Sequence, residues 1–442
     1  MNVGNTIYAL SSGLGRAGIA VVRVSGPKAS ETLIRLSGGL PTPRHASLRK
    51  LVSYNDRSVI DQALVLWFPG PATATGEDVV EFHLHGSPAI ISKVFSELAE
   101  IDSVGPAEPG AFTRRAFDNG VLDLVEVEGL ADLLSAGTDS QRRLAMRQFL
   151  GEASSIYEAW RADLISALAL IDAAIDFVEE PDVVASAVAQ MIPAVQKLLV
   201  ELEAALSQSS RASAVRDGLR LVIAGPPNVG KSSLLNWLSG RDAAIVSDQA
   251  GTTRDVVEAI VEFEGVRLVL ADTAGLRTDS KDEIEKIGMA RAEAEIRDAD
   301  IVLWLSAPDV SSEVGPARIP DLVVVNKSDL LANSSIHDRN ESELTISLKS
   351  RSGLTLLRER LAQLILARSA LTLNAVVVRD RHVVAVKKTI RKLNDILNHP
   401  NLPLEVLAEE LRDACRIMSS ITGRIDVEDL LGRIFSEFCI GK

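Results

Sequence analysis

The stretch Leu219-Arg-Leu-Val-Ile-Ala-Gly-Pro-Pro-Asn-Val-Gly-Lys-Ser232 decides the fold of the central part of the chain. Its apolar first half predicts a buried strand, and helix-forming residues 233–238 follow its glycine-containing second half. The glycines let successive backbone N–H groups point into the loop, and the helix N-terminus adds partial positive charge. Lys231 contributes a point charge, and the Ser232 hydroxyl can ligate Mg²⁺. The GxxxxGKS pattern therefore predicts a phosphate-binding loop.

Two further motifs predict the switch segments of a nucleotide-hydrolysing domain. Gly251-Thr-Thr-Arg-Asp255 offers a hydroxyl, at Thr252 or Thr253, for a second contact with Mg²⁺. The motif Asp272-Thr-Ala-Gly275 follows a predicted strand over 266–271. Its aspartate suits the outer sphere of the metal, and its glycine suits a backbone contact with the γ-phosphate.

A fourth motif selects the base. Asn326-Lys-Ser-Asp329 follows a predicted strand over 321–325. The Asp329 carboxylate can accept two N–H bonds from guanine, which adenine cannot offer. A carboxylate left unpaired at such a site costs about 1–3 kcal/mol, which discriminates strongly. Ser347-Leu-Lys349 can supply the last contact with the base, so the expected nucleotide is GTP.

The sequence leaves undecided which group activates the attacking water. Ras-like GTPases orient the water with a Gln after the second switch motif, where this chain has Leu276. A carboxylate of the acidic stretch 282–285 can hold a water, although a solvated helix start explains the same residues. Arg254 and Arg277 are candidate arginine fingers, and Asn228 can instead help to hold a monovalent cation against the phosphates.

Length, charge and cysteine content exclude several classes of protein. The 442 residues suggest about two to four domains, with 46% hydrophobic and 24% charged residues as in folded soluble chains. Lys+Arg 47 against Asp+Glu 60 gives a net charge of −13, so an RNA partner needs a local basic face. The chain has two cysteines, Cys415 and Cys439, a number that fits a reducing compartment. Because the sequence lacks a secretory signal and a run of about 18 apolar residues, we expect a cytoplasmic protein without membrane contact.

The hydrophobic pattern changes along the chain. Residues 6–116 mix short strands with helices, whereas 124–175 and 191–206 predict long amphipathic helices. Strand, loop and helix alternate from about 219, and the helical pattern returns past about 372. A helical region split by an α/β segment predicts an inserted domain. Ser207-Gln-Ser-Ser210 is predicted to be an exposed joint.

Motifs outside the nucleotide-binding segments carry a resemblance that covers nearly all of the chain. They are Thr6-Ile-Tyr-Ala-Leu10, Gly18-Ile-Ala-Val-Val-Arg-Val-Ser-Gly26, Thr75-Gly-Glu-Asp-Val-Val-Glu81, His85-Gly86, Pro109-Gly-Ala-Phe-Thr-Arg-Arg-Ala-Phe117 and Phe438-Cys-Ile-Gly-Lys442. With these motifs the chain resembles the bacterial tRNA-modification GTPases of the MnmE family, also called TrmE.

The resemblance implies a multidomain α+β and α/β fold. Its expected parts are an α+β folate-binding and dimerisation domain (1–117), an all-α helical domain (118–212 and 372–442) and an inserted Ras-like GTPase domain (213–371). It implies a homodimer and a 5-formyltetrahydrofolate-type ligand. It also implies a heterotetramer with MnmG, which carries FAD. Together the two proteins add an aminomethyl or carboxymethylaminomethyl group to C5 of the wobble uridine, position 34, of certain tRNAs.

The resemblance further implies that K⁺ replaces the arginine finger and that the GTPase domains pair in the transition state. Residues 245–251 match the family's K⁺ loop, and the positions expected to contact K⁺ are Asn228, Ser247, Gln249 and Thr252. Ser232 and Thr253 match the Mg²⁺ positions. Glu285 matches the water-orienting glutamate, although this chain is one residue longer between Gly275 and that position.

The nucleotide-binding positions expected from these motifs form one set along the chain. They are Asn228, Val229, Gly230, Lys231, Ser232, Ser233, Ser247, Asp248, Gln249, Ala250, Gly251, Thr252, Thr253, Asp272, Thr273, Ala274, Gly275, Asn326, Lys327, Asp329, Ser347, Leu348 and Lys349.

For folate, Arg23, Glu81 and the C-terminal Lys442 match the family's ligand-contacting positions. A pterin ring offers N–H donors to a carboxylate, and the glutamate tail of the ligand attracts cations. Val121 departs from the family, which often has Lys there, and the lost cation bears on the affinity for the tail.

Histidine and cysteine side chains in this chain have both functional and structural explanations. His83 and His85 alternate on a predicted strand, but without a third metal ligand His85 is interpreted as structural. Cys439 is either a small buried apolar group or a functional thiol close to the folate.

Two functions of other classes compete with a tRNA-modifying GTPase. A ribosome-assembly GTPase usually carries an RNA-binding appendage or a second GTPase copy, neither of which is evident. A GTP switch without hydrolysis remains an alternative because of Leu276.

Overall fold

The computed structural model describes residues 5–13, 15–242, 258–272, 294–310, 318–330, 343–369, 375–399 and 402–425, with residues 431, 434, 435, 438 and 441. The chain divides into two compact units. Unit 1 comprises Met1–Ala131, Gln148–Tyr157 and Ser419–Lys442, and unit 2 comprises Asp132–Arg147 and Glu158–Met418. The three-domain boundaries expected after residues 117, 212 and 371 stay a prediction.

Unit 1 is built on a six-stranded sheet. Its strands are β1 (Thr6–Leu10), β2 (Ala17–Ser25), β3 (Ser47–Val52), β4 (Val59–Phe68), β5 (Val79–Gly86) and β6 (Val104–Pro106). They lie in the order β3-β4-β5-β2-β1-β6, with every neighbouring pair antiparallel except β1 and β6. The mixture of short strands and helices predicted for residues 6–116 is thus confirmed.

Alternation along β2 and β5 separates the two faces of this sheet. Val22, Val24, Val80 and Phe82 are fully buried and pack in one core with residues of α1 (Ala29–Ser37) and α2 (Pro88–Ala99). Because successive side chains of a strand point to opposite faces, the residues between them lie on the other face of the sheet. That face carries the candidate folate residues.

Near the C-terminus, Leu431, Ile434, Phe435 and Phe438 pack in one core of unit 1. This core includes Phe117 of α3 (Ala111–Asp118) and the unit 1 part of α4 (Leu124–Ser135). Gly110, just before α3, has a φ of 70°, and a Cβ there would collide with the carbonyl oxygen of Phe435. The Ser11 hydroxyl donates to the carbonyl oxygen of Gly441 at 2.9 Å. Gly441 therefore lies against the chain at the end of the first strand of the sheet.

Seven helices complete the set that the structure describes with defined bounds. They are α5 (Asp139–Phe149), α6 (Glu152–Asp176), α7 (Pro181–Asp217), α8 (Lys231–Asp242), α9 (Leu354–Ser369), α10 (Asp380–Asn398) and α11 (Leu404–Ile421). The predicted helical pattern on both sides of the α/β segment is confirmed. Within unit 2, α7 packs mainly against α10.

The prediction of an exposed joint at residues 207–210 is wrong, because these residues lie inside α7. Serine is weak in helices because its hydroxyl competes for backbone groups. Here the hydroxyls of Ser207, Ser209 and Ser213 donate to the carbonyl oxygens of Ala204, Leu206 and Ser209, at 2.7, 2.7 and 3.2 Å. These bonds satisfy the hydroxyls without breaking the helix, which runs on to the first strand of the inserted segment.

Length and hydropathy alone would let α7, among the described residues, cross a membrane. Core helices of folded domains often pass the same test, so one such helix is weak evidence for a membrane span.

The sheet of unit 2 has the pattern expected of a nucleotide-binding α/β domain. Its strands are β7 (Leu219–Ala224), β8 (Glu258–Phe263), β9 (Val266–Asp272), β10 (Ile301–Ser306), β11 (Leu322–Val325) and β12 (Glu343–Thr345). They lie in the order β12-β11-β10-β7-β9-β8, and only the β8–β9 pair is antiparallel. Parallel strands buried on both faces are mostly apolar, as in β7 and β10, where Arg220 and Ser306 are the polar exceptions.

Candidate functional site

The phosphate-binding loop connects the end of β7 to the start of α8, as predicted. Gly225 has a φ of 144°, and a Cβ there would collide with the carbonyl oxygen of Leu305 on β10. Gly230 has a φ of 106°, and its Cβ would come within 2.5 Å of the Asn326 side-chain nitrogen. Only glycine fits both positions, so the loop can lie close to its neighbours and turn its amides inward.

Lys231 is 7% exposed, and its ammonium group has oxygen partners within the loop. Its Nζ donates to the carbonyl oxygens of Gly225 and Pro226, each at 2.8 Å. A buried ammonium group requires such acceptors because its desolvation is costly. The cation therefore lies inside the curve of the loop, where phosphate oxygens can become its acceptors.

The neighbouring strands bring the other motifs to the same edge of the sheet. Asp272 ends β9 and is the partner of Ile223 in the parallel ladder with β7, although only its backbone is described. The β10–β11 ladder ends at the pair Ser306–Val325, immediately before Asn326. Because the carboxyl ends of parallel strands form the usual ligand crevice of open α/β sheets, this edge is the candidate nucleotide site.

Asn326 joins three loops at this edge. It is 4% exposed, and its Nδ2 donates to the carbonyl oxygen of Val229 at 2.9 Å. Its Oδ1 accepts a bond from the backbone N–H of Leu348 at 3.2 Å. The side chain thus ties the phosphate loop to the two segments expected to hold the base. This connection was not evident from the motif pattern, because it depends on which loops the sheet brings together.

Asp329 is exposed and lies beside Ser347, a buried residue. The Ser347 hydroxyl donates to the Asp329 carboxylate at 2.5 Å and holds the pKa of that carboxyl below its usual range. The group is therefore ionised at neutral pH and can accept hydrogen bonds from a base. Lys327 has a φ of 60° and forms an ion pair with Asp309 at 2.7 Å.

Other predicted residues in the loop and at the start of α8 lie at the surface. Asn228, Ser232 and Ser233 are exposed, and Asn228 has a left-handed φ of 64°. Lys349 is exposed as well. These residues are therefore exposed near the same edge of the sheet.

Several predicted positions lie outside the described residues. They are Ser247, Asp248, Gln249, Ala250, Gly251, Thr252, Thr253, Thr273, Ala274, Gly275, Glu285, Cys439 and Lys442, with the alternatives Arg254, Leu276 and Arg277.

In unit 1, Arg23 and Glu81 are directly paired across β2 and β5. The Arg23 guanidinium donates to Glu81 Oε1 at 3.1 and 3.2 Å, and the two side chains are 25% and 20% exposed. His83 Nε2 lies 3.2 Å from the other Glu81 oxygen, and Phe112 has its ring 5.9 Å below the guanidinium carbon. The structure therefore brings two of the three predicted folate residues together on the face of the sheet opposite the core with α1 and α2, which we call the open face.

A second arginine explains the motifs at 75–81 and 109–117, which sequence reasoning had not connected. Arg115 donates through Nη1 to Glu77 at 2.6 Å and to the carbonyl oxygen of Ser25 at 3.0 Å. The Ser25 and Thr75 hydroxyl oxygens lie 2.7 Å apart. Side chains far apart in sequence thus hold the loop before β5. Val121, where the family often has Lys, is 40% exposed and approaches this loop at Gly76.

His85 agrees with a structural role. Its Nδ1 lies 2.7 Å from Asp61, a carboxylate that also accepts a bond from the His85 backbone N–H at 2.9 Å. No group of three metal-ligating side chains occurs among the residues that the structure describes.

Burial raises the pKa of the Cys415 thiol, which favours its protonated form.

A glycine loop around a buried lysine, a tethered Asn326 and an ionised Asp329 define the class of P-loop guanine-nucleotide-binding domains. The chain matches the family models for the GTP-binding protein TrmE N-terminus over residues 6–121 and for the MnmE helical domain over 124–439. It therefore belongs to the MnmE family of tRNA modification GTPases.

Curated relatives match over almost the full chain. The tRNA modification GTPase MnmE of Bradyrhizobium sp. (strain ORS 278) is 45% identical over 440 residues, which cover 99% of each chain. That of Methylobacterium sp. (strain 4-46) is 46% identical, covering 99% of this chain and 100% of the relative. That of Brucella anthropi is 44% identical, covering 99% and 98%.

We expect Asn326→Ala to weaken both the fold of unit 2 and its binding of nucleotide. The change removes two hydrogen bonds and leaves the Val229 carbonyl and the Leu348 N–H without this partner. The free energy of unfolding should fall by about 1–3 kcal/mol. Thermal unfolding without nucleotide measures this effect independently of function. The matched control is Asn236→Ala on the exposed side of α8, where a change of less than about 0.5 kcal/mol is expected. Equal effects of the two substitutions would contradict the tethering role.

Proposed function

We propose that this protein hydrolyses GTP as part of the modification of tRNA. The observation that carries the proposal is the phosphate loop, in which Lys231 is held by two loop carbonyls beside the guanine-recognition segment. Membership of the MnmE family supports the connection with tRNA modification. Of the two competing functions, nothing in the described residues favours ribosome assembly.

The described side chains fit the proposed cations. Ser232 places an exposed hydroxyl at the first turn of α8, which suits Mg²⁺, a cation that prefers oxygen ligands. Asn228 is exposed at the tip of the loop, where its neutral side-chain oxygen suits K⁺. We assign the further contacts to Thr253 for Mg²⁺ and to Ser247, Gln249 and Thr252 for K⁺. When bound, the two cations supply positive charge against the phosphates.

The chain's own residues position the nucleotide and the water in this proposal. The ionised Asp329 accepts N–H bonds from guanine, and Lys231 exchanges its loop carbonyls for phosphate oxygens. Glu285 orients the attacking water, because Leu276 offers no polar atom for that task.

A folate-type ligand is assigned to the open face of the sheet in unit 1. The Arg23–Glu81 pair is about a quarter exposed, so a ligand can reach both groups. Glu81 can accept N–H bonds from a pterin ring, and Arg23 can pair with a carboxylate of the ligand tail. Phe112 adds an aromatic surface beside the guanidinium group. Lys442 completes the proposed set.

The proposed assembly is a cytoplasmic homodimer that works with the FAD-carrying MnmG on the wobble uridine. This part rests on family membership.

The base preference is tested with Asp329→Asn. The amide presents a donor where guanine also has donors, whereas xanthine has a carbonyl acceptor at that position. GTP affinity should fall about 10²-fold or more, and xanthosine triphosphate should bind better than GTP. Competition binding of the two nucleotides measures the ratio. Tight xanthosine triphosphate binding shows that the domain is folded. An unchanged preference for GTP would remove Asp329 from base recognition.

Catalysis is tested by GTP turnover in K⁺ and in Na⁺. Turnover should be about tenfold or more faster in K⁺, because charge near the phosphates stabilises the transition state. Glu285→Ala should lower turnover in K⁺ about 10²-fold and spare GTP binding, with Glu283→Ala as the control in the same acidic stretch. Equal rates in both salts would be evidence against the cation role of Asn228. Negligible turnover in every salt would favour the switch alternative.

The pathway is tested by nucleoside analysis of tRNA from cells that lack this protein. The modified wobble uridine should disappear and should return with the wild-type chain. Arg23→Gln should restore little of it while keeping GTP turnover, because the GTP site lies in unit 2. The control is Lys50→Gln on the same sheet, at an exposed position of β3. Normal wobble uridines in the deletion strain would overturn the tRNA assignment and leave the GTPase assignment standing.

A further inference from the structure

Helix α10 has two faces of opposite character. Its buried face consists of His382, Ala385, Val386, Thr389, Leu393 and Ile396. On the opposite side, Val384, Lys387, Lys388 and Arg391 are exposed. Lys387, Lys388 and Arg391 follow Val384 by three, four and seven residues, so the four side chains lie along one side of the helix.

The cations on this side of the helix differ from those around them. Lys392, the next residue, forms ion pairs with Glu410 at 2.8 Å and Asp413 at 3.1 Å. On α11, Arg416 is likewise paired with Glu409 at 3.4 Å. By contrast, no ion pair or hydrogen bond joins the side chains of Lys387, Lys388 and Arg391 to another described residue. We call these three residues the basic stripe.

The local charge is opposite to that of the whole chain. Helix α10 contains five Lys/Arg and two Asp, a net charge of 5 − 2 = +3, whereas the complete chain has −13. An acidic chain has carboxylates available for its cations, yet the basic stripe keeps three charges together. Lys387 and Arg391 are four residues apart on one face, where like charges repel. Such an arrangement is costly for folding and is useful when an anionic partner neutralises it.

We propose that the basic stripe binds the phosphate backbone of the tRNA. The proposal rests on the proposed function, which supplies a polyanionic substrate. Charge complementarity selects the occupant, because a protein with −13 needs a local basic face to approach RNA. A membrane surface fits less well, because Val384, the exposed apolar residue next to the basic stripe, is neither an aromatic nor a long aliphatic side chain for insertion. Contacts of this kind position the RNA without reading its sequence.

The test is tRNA binding by the full chain with Lys387→Gln, Lys388→Gln and Arg391→Gln combined. Affinity at about 0.1 M salt should fall about tenfold, and the slope of log K against log salt should become shallower by about 2–3. GTP turnover without tRNA should stay unchanged. The matched control neutralises Arg143, Lys197 and Arg416, three exposed cations that are each paired with a carboxylate. Because both variants change the net charge equally, a global effect would appear in both.

The outcomes separate this inference from the proposed function. Wild-type tRNA binding that the triple variant retains, with the same salt slope, would overturn the basic stripe alone. Equal losses in the variant and its control would also overturn it. Loss of binding to a partner protein or to anionic vesicles, without loss of tRNA binding, would assign the stripe to that other partner. If the wild-type chain bound no tRNA while hydrolysing GTP, both the stripe and the tRNA assignment would fall.

Discussion

The ammonium group of Lys231 depends on oxygen atoms that only a tightly curved backbone can offer. Lys231 is 7% exposed, and the acceptors of its ammonium group include the carbonyls of Gly225 and Pro226 in the same loop. The curvature needs a glycine at 225, because a Cβ there would collide with Leu305 on the neighbouring strand. The position of the phosphate site therefore follows from the pairing of β7 with β10, and Asn326 extends the same constraint to the base-binding segment.

Two arginines of unit 1 show how similar ion pairs serve different purposes. The Arg115 side chain is 17% exposed and holds the loop before β5 through Glu77 and the Ser25 carbonyl. Arg23 pairs with Glu81 on the open face of the sheet, where both groups stay partly accessible. The first pair stabilises the fold, whereas the second offers a donor and an acceptor to the ligand that we propose for this face. On an acidic chain, the basic stripe of α10 is a third case, in which cations are kept apart from carboxylates.

Much of the fold was predictable because the hydrophobic pattern is local. The apolar runs at 219–224 and 266–271 became β7 and β9, and the helical pattern predicted past about 372 became α10 and α11. The prediction of a joint at 207–210 was wrong. The hydroxyls of Ser207 and Ser209 donate to carbonyl oxygens of the helix in which they lie. Composition indicated a break, but the bonding choice of each hydroxyl depends on the backbone already being helical.

The sequence alone determined the chemistry of the nucleotide site, because Gly225, Lys231 and Asp329 stand at fixed distances within short motifs. It also indicated the candidate ligand residues Arg23 and Glu81, by resemblance. The tertiary structure decided which of these groups meet. Register across β2 and β5 pairs Arg23 with Glu81, and the strand order brings Asn326 to the phosphate loop. Such contacts join residues tens of positions apart, so the local sequence pattern carries no information about them. They are defined only when the strands pair in the folded sheet.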